Sequence, residues 1–217
     1  MKVALVAGAT GAVGKALVYQ LLEDTVYAKV VVLVRKPIHM KHHKLHQVQV
    51  NFDQLDYYKS ELGCDDVYCC LGTTIAVAGS KEQFYKIDHD YVIQLARLTK
   101  QQGANQFVLV SAMGASASSA IFYNKVKGET EQHLVDITFA KTIIVRPSLL
   151  LARRTEVRVG EWIAQKLMKA TRFVFSGPLK KYRAIEVERV AEAMRYYAHK
   201  PTTGVFYYSN NELFIQQ

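Results

Sequence analysis

Short apolar runs alternate along this chain with longer stretches in which apolar residues recur every three or four positions. Seven runs read as buried strands: Lys2–Ala7, Lys29–Val34, Gln47–Val50, Asp66–Leu71, Gln106–Val110, Lys141–Val145 and Gly204–Tyr208. After the first of them, Ala16, Leu17, Val18, Leu21 and Leu22 keep helical spacing. Phe84, Ile87, Tyr91, Leu95 and Leu98 do the same within Lys81–Gln102 and read as core contacts. Asp56–Leu62 suits a short helix, and Ala120–Leu134 and Glu186–His199 suit longer ones. Val159–Ala170 suits another, striped by Val159, Ile163 and Leu167. Strands alternating with helices specify an α/β fold: a Rossmann-type doubly wound parallel sheet with right-handed crossovers. The expected strand order is 3-2-1-4-5-6-7.

The first strand runs straight into Gly8-Ala9-Thr10-Gly11-Ala12-Val13-Gly14, and a helix follows. Strand, glycine turn and helix together form the setting of a dinucleotide-binding loop. The first glycine makes the turn, the second admits a pyrophosphate to the backbone, and the third lets helix and strand approach. The helix N-terminus offers unpaired N–H groups and partial positive charge to phosphates.

Ligands of such sheets bind at the carboxyl ends of the strands, and the candidate residues fall there. The second strand ends in Arg35 and Lys36, where an acidic residue would favour NAD. A guanidinium instead matches a 2′-phosphate through bidentate, charge-assisted bonds, so NADP(H) is expected over NAD(H). Asp53, after the third strand, either accepts from an adenine amino group or is a surface-turn aspartate. Leu71, Gly72 and Thr73 follow the fourth strand, where a glycine lets adenosine and ribose lie against the backbone. Ser111 follows the fifth.

Tyr123 and Lys127 stand four residues apart on a predicted helix and share a face. A phenol with a pKa near about 10 is a poor acid or base at neutral pH, and a neighbouring ammonium favours its ionised form. That pair suits hydride transfer between a nicotinamide and a carbonyl or alcohol, with Tyr123 as general acid/base. Lys127 also suits the nicotinamide-ribose hydroxyls, and Ser111 suits the substrate oxygen.

The chain resembles the atypical short-chain dehydrogenase/reductases of the NmrA-like group, in the branch of the Tat-interacting-protein-like oxidoreductases. The resemblance rests on the glycine loop and on Cys69-Cys70-Leu71-Gly72-Thr73-Thr74 and Ser111-Ala112-Met113-Gly114-Ala115. It continues through Tyr123-Asn124-Lys125-Val126-Lys127-Gly128-Glu129, Arg146-Pro147-Ser148-Leu149-Leu150-Leu151 and Gly160-Glu161-Trp162. It implies NADP(H) held by residues 8–14, Arg35 and the Gly72 turn, with Ser111, Tyr123 and Lys127 as a catalytic set. It also implies that the backbone of Pro147, Ser148 and Leu149 faces the nicotinamide carboxamide. The group includes active reductases and cofactor-binding regulators. An NADP(H)-dependent reductase of a small carbonyl substrate therefore stands beside an NADP(H)-sensing regulator or scaffold without turnover.

Composition narrows the setting. Half of the 217 residues are hydrophobic and 22% are charged, as in a globular chain with a sizeable core. Residues 1–217 read as one nucleotide-binding domain, with 147–185 as a small pocket-lining extension on the substrate side. No apolar run is long enough for a membrane span or signal peptide. Of the net charge of +9, much lies in residues 151–200, which hold 12 Lys/Arg against five Asp/Glu. Without a nucleic-acid motif this reads as a solvated face, and Arg153, Arg154, Lys180 and Lys181 suit an anionic small-molecule substrate. The expected state is a monomer or homodimer. Three cysteines, two of them adjacent, fit neither a disulfide framework nor a zinc site, and a cytoplasmic location is expected. His39, His42, His43 and His46 read as a polar surface connection rather than a metal site, although His42 and His46 fit one helical face. Trp162 reads as packing, and the stretch around Gly177-Pro178 as a loop.

Overall fold

Strand β1 (Lys2–Ala7) sends successive side chains to opposite faces: Ala4 and Val6 join one buried cluster, Leu5 and Ala7 another. Both faces therefore need cover, as a parallel sheet flanked by helices provides. The computed structural model describes residues 1–151 and 183–215. After β1 come α1 (Ala12–Glu23), β2 (Tyr27–Val34), β3 (Leu45–Gln49), a 3-10 stretch (Phe52–Leu62) and β4 (Asp66–Cys69). Then follow α2 (Ile75–Ala78), α3 (Lys81–Tyr85), a π turn (Lys86–Asp90), α4 (Tyr91–Gln101), β5 (Gln106–Val110), α5 (Phe122–Val135) and β6 (Lys141–Arg146). Past β7 (Leu150–Leu151) lie β8 (Ile185–Glu186), α6 (Val187–His199) and β9 (Gly204–Ser209).

Among the described residues, seven strands form one parallel sheet in the order β3-β2-β1-β4-β5-β6-β9. This is the doubly wound topology expected, with the last strand in seventh place. The order reverses between β1 and β4, the crevice where such sheets bind ligands. On one face α1 packs against α6, burying Leu17, Val18, Leu21, Val190 and Met194. On the other, α4, α5 and the 3-10 stretch bury Leu55, Leu95 and Leu134 against Phe107 and Ile144. Cys69 and Cys70 fall on opposite faces, Cys69 in the second cluster and Cys70 against the first.

Several boundaries differ from expectation for physical reasons. β2 starts at Tyr27, which is buried with its hydroxyl 2.7 Å from Asp66 Oδ2 and 2.8 Å from the Tyr68 hydroxyl. β3 starts at Leu45 because it pairs there with Val30, so His46 lies on a strand and shares no helical face with His42. β4 stops at Cys69, where its neighbour β1 ends, which frees Leu71 and Gly72 for the turn. Helix α5 starts at Phe122, after Ile121 in extended conformation. The run from Lys81 is not one regular helix: its π turn brings Asp88 and His89 both inward. The helix expected at 159–170, Trp162, the Gly177-Pro178 loop and the cations Arg153, Arg154, Lys180 and Lys181 lie outside the described residues. Among the described residues no helix is long and apolar enough to cross a membrane.

Candidate functional site

The glycine loop closes tightly at the crevice. Gly8 has φ +84°, and Gly11 N–H donates to Gly8 O at 3.0 Å. A Cβ on Gly14 would stand 2.1 Å from Gly8 O, a backbone atom that cannot yield. Only glycine therefore allows α1 to start this close to β1. Gly11 caps α1 without a side-chain hydrogen bond, which leaves the N-terminal N–H groups to a ligand. The cradle fits a pyrophosphate.

A cleft of about 1030 Å³ opens beside the loop over the ends of β2 and β3, lined by Gly8, Gly11, Arg35, Asp53, Gly72 and Tyr91 among others. Arg35 and Lys36 are both exposed, but only Arg35 lines the cleft. Thr10, Leu71 and Thr73 line it too. Ile87 and Tyr91, expected as core contacts, are half-buried and line it too. Asp53 is held in place: its Oδ1 accepts from the Tyr91 hydroxyl at 2.5 Å and pairs with Lys86 Nζ at 2.6 Å. The Lys86 and Tyr91 hydrogen bonds hold its carboxyl below the ordinary carboxylate range.

On the other side of the crevice, Lys127 is buried and its Nζ lies 2.7 Å from Asp88 Oδ1. Asp88 Oδ2 accepts from Thr73 N–H at 2.9 Å, and its backbone carbonyl accepts from the Thr130 hydroxyl at 3.0 Å. A Cβ on Gly72 would stand 3.4 Å from Asp88 Oδ1 and 3.6 Å from Lys127 Nζ, so the turn after β4 lies directly on the pair. Burial disfavours the Lys127 ammonium, but Asp88 and then the Tyr123 phenol outweigh it and raise its pKa. Tyr123 is half-buried, its ring centroid 5.6 Å from that of Phe84.

Ser111 has a partner of its own within the chain. It is buried, and its hydroxyl donates to Glu131 Oε1 at 2.5 Å. No hydrogen bond joins it to Tyr123 or Lys127. The loop after β6 is tied to neighbouring segments. Pro147 O accepts from Met113 N–H at 2.9 Å, Ser148 N–H donates to Asn210 Oδ1 at 3.0 Å, and the Ser148 hydroxyl donates to Arg183 O at 2.5 Å. Leu149 is exposed. Asp88 and Glu131 were not singled out from the sequence. Their one signal was an acid four residues after Phe84 and another four residues after Lys127, each on an inward helical face.

A family model described as NAD(P)H-binding matches residues 8–201. The chain belongs to this NAD(P)H-binding family. It is 37% identical over 169 residues to Protein HTATIP2 of Rattus norvegicus, covering 76% of this chain and 69% of that one. This places it in the HTATIP2-type branch of the atypical short-chain dehydrogenase/reductases. To Protein FMP52, mitochondrial, of Debaryomyces hansenii it is 32% identical over 206 residues, covering 92% of this chain and 89% of that one. Other FMP52 relatives are likewise named mitochondrial, and that finding overturns the expectation of a cytoplasmic chain. In fold the chain is similar to the Bordetella bronchiseptica enzyme WbmH, solved in complex with NAD+. Their TM-score is 0.72 at 14% identity, over 96% of this chain and 76% of that one. The family and the glycine cradle agree on a nicotinamide dinucleotide.

Proposed function

We propose that this chain is an NADP(H)-dependent oxidoreductase that reduces a small carbonyl substrate. The observation that carries this reading is the buried Lys127 ammonium, held charged by Asp88 against the Gly72 turn, one helical turn from Tyr123. The loop from Gly8 to Gly14 holds the pyrophosphate on the α1 N-terminus, with Ala9, Thr10, Ala12 and Val13 as its walls. Arg35 takes the 2′-phosphate, which favours NADP(H) over NAD(H). Asp53 takes the adenine edge, and Pro147 to Leu149 lie along the nicotinamide side. When bound, the nicotinamide supplies the hydride. Tyr123 gives its phenolic proton to the substrate oxygen, and the fixed positive charge of Lys127 stabilises the phenolate left behind. The chain acts as one nucleotide-binding domain.

A second reading, an NADP(H)-sensing regulator without turnover, is favoured by one observation. The Ser111 hydroxyl is committed to Glu131 and not to the Tyr123 side of the site. An assay of NADPH oxidation over a panel of aldehydes and ketones separates the two. Turnover that falls at least about a hundredfold in Tyr123→Phe supports the reductase, as expected for loss of general acid catalysis. Full rate in that variant contradicts the acid/base role, and no turnover with any carbonyl leaves the regulator.

A further inference from the structure

The inward face of α5 carries a functional side chain at every fourth position: Tyr123, Lys127 and Glu131. Lys127 meets the turn after β4. Glu131 lies one turn further on, with its side chain only 3% exposed, and it meets the next two strands. Its Oε1 accepts from the Ser111 hydroxyl at 2.5 Å and from Arg146 Nε at 3.0 Å, while Oε2 accepts from Arg146 Nη2. Ser111 is the first residue beyond β5, and Arg146 is the last of β6. The Arg146 guanidinium also lies 4.7 Å from the ring centroid of Tyr207 on β9. A buried carboxylate is tolerated only when it is paired and hydrogen-bonded, and both oxygens of Glu131 are. One carboxylate thus ties the ends of β5 and β6 to the helix that bears Tyr123 and Lys127.

Its position relative to a bound dinucleotide follows from topology. A dinucleotide crosses the strand ends where the sheet order reverses, with one nucleoside on each side. The roomy cleft with Arg35 lies over the ends of β2 and β3 and reaches the turn after β4. The second nucleoside, the one with the nicotinamide, then lies over the ends of β5 and β6. These are the ends that Glu131 holds.

We infer that Glu131 is a positioning residue for the nicotinamide half of the site. It touches neither cofactor nor substrate, but it sets α5 against the two strand ends beneath the ring and so fixes Tyr123 and Lys127 relative to it. This inference rests on the nucleotide-binding reading above. It makes a selective demand: loss of Glu131 weakens a ligand that has a nicotinamide and spares one that stops at the adenosine.

Calorimetric titration of the full chain with NADPH and with adenosine 2′,5′-bisphosphate tests it, comparing wild type with Glu131→Gln. The expected result is NADPH affinity lowered about tenfold, the size of an ordinary coupling between linked sites, with bisphosphate affinity unchanged. The emission of bound dihydronicotinamide is expected to shift toward that of the free dinucleotide. Equal weakening of both ligands, or weakening of neither, overturns the inference while leaving the nucleotide-binding reading intact. Arg146→Lys breaks the same grip at a side chain 33% exposed and carries the same test if Glu131→Gln does not fold. A wild-type chain that binds neither ligand overturns the nucleotide-binding reading and this inference with it.

Discussion

Lys127 Nζ stands 2.7 Å from Asp88 Oδ1, and both side chains are buried. Each charge is tolerable only because the other is there. Asp88→Asn leaves a buried ammonium without its counter-charge and is expected to destabilise the chain by about 3–5 kcal/mol. Lys127→Met is expected to cost a similar amount. The Asp88→Asn/Lys127→Met double variant should recover most of the loss, since neither charge then lies unpaired. Urea unfolding of the four proteins measures the cycle, and simple additivity of the two single losses would contradict the pairing.

The same pair sets an alkaline dependence. The pKa of Lys127 is raised on folding, so the folded chain holds that proton more tightly than the unfolded one. Its contribution to stability is therefore complete below the ordinary value of 10.5 and fades as pH rises through the folded value. Urea midpoints followed from neutral into strongly alkaline solution should show this loss in the wild type. The double variant should lack that component, and identical alkaline profiles would count against it.

At the glycine loop, Gly14→Ala forces a methyl into a space 2.1 Å from a backbone oxygen. The strain should lower stability by about 1–3 kcal/mol and move α1 away from β1. Pyrophosphate binding should then fall further than stability does. Thermal melting with and without NADPH checks this: the wild-type melting temperature should rise with NADPH, and that of the variant should not.

Tyr27 offers a control at the opposite end of the sheet. Its buried hydroxyl bonds to Asp66 and Tyr68, and burial together with those neighbours pushes the phenol's pKa far up, so it stays a donor. Tyr27→Phe should cost about 1–3 kcal/mol, the loss of a buried bond to a charged acceptor. NADPH affinity should be unchanged. A matching fall in affinity would mean that the two ends of the sheet are coupled.

What the sequence disclosed and what it hid have different physical origins. The strands, the switch point and the glycine loop were legible because they rest on local signals: continuous apolar runs, helical spacing and glycines at fixed offsets. Arg35 at the cleft was legible for the same reason, as the end of a strand. Asp88 was hidden because an acid within an amphipathic helix ordinarily faces solvent, and the π turn that swings it inward has no sequence mark. Glu131 was hidden likewise, and with it the commitment of the Ser111 hydroxyl. The long-range hydrogen bond between Ser111 and Glu131 depends on packing α5 across the sheet, which spacing alone does not give. Lys36, adjacent to Arg35, looked equivalent in sequence, but only one of two successive residues at the strand end lines the cleft.

The central claim is that the loop from Gly8 to Gly14 binds a nicotinamide dinucleotide whose 2′-phosphate Arg35 selects. Fluorescence titration of the wild type and Arg35→Glu with NADPH and NADH tests it most directly. The wild type should bind NADPH at least about tenfold more tightly than NADH, the value of a charge-assisted bidentate contact, and Arg35→Glu should abolish that preference. Equal affinities in the wild type, or a preference untouched by the substitution, would contradict the account.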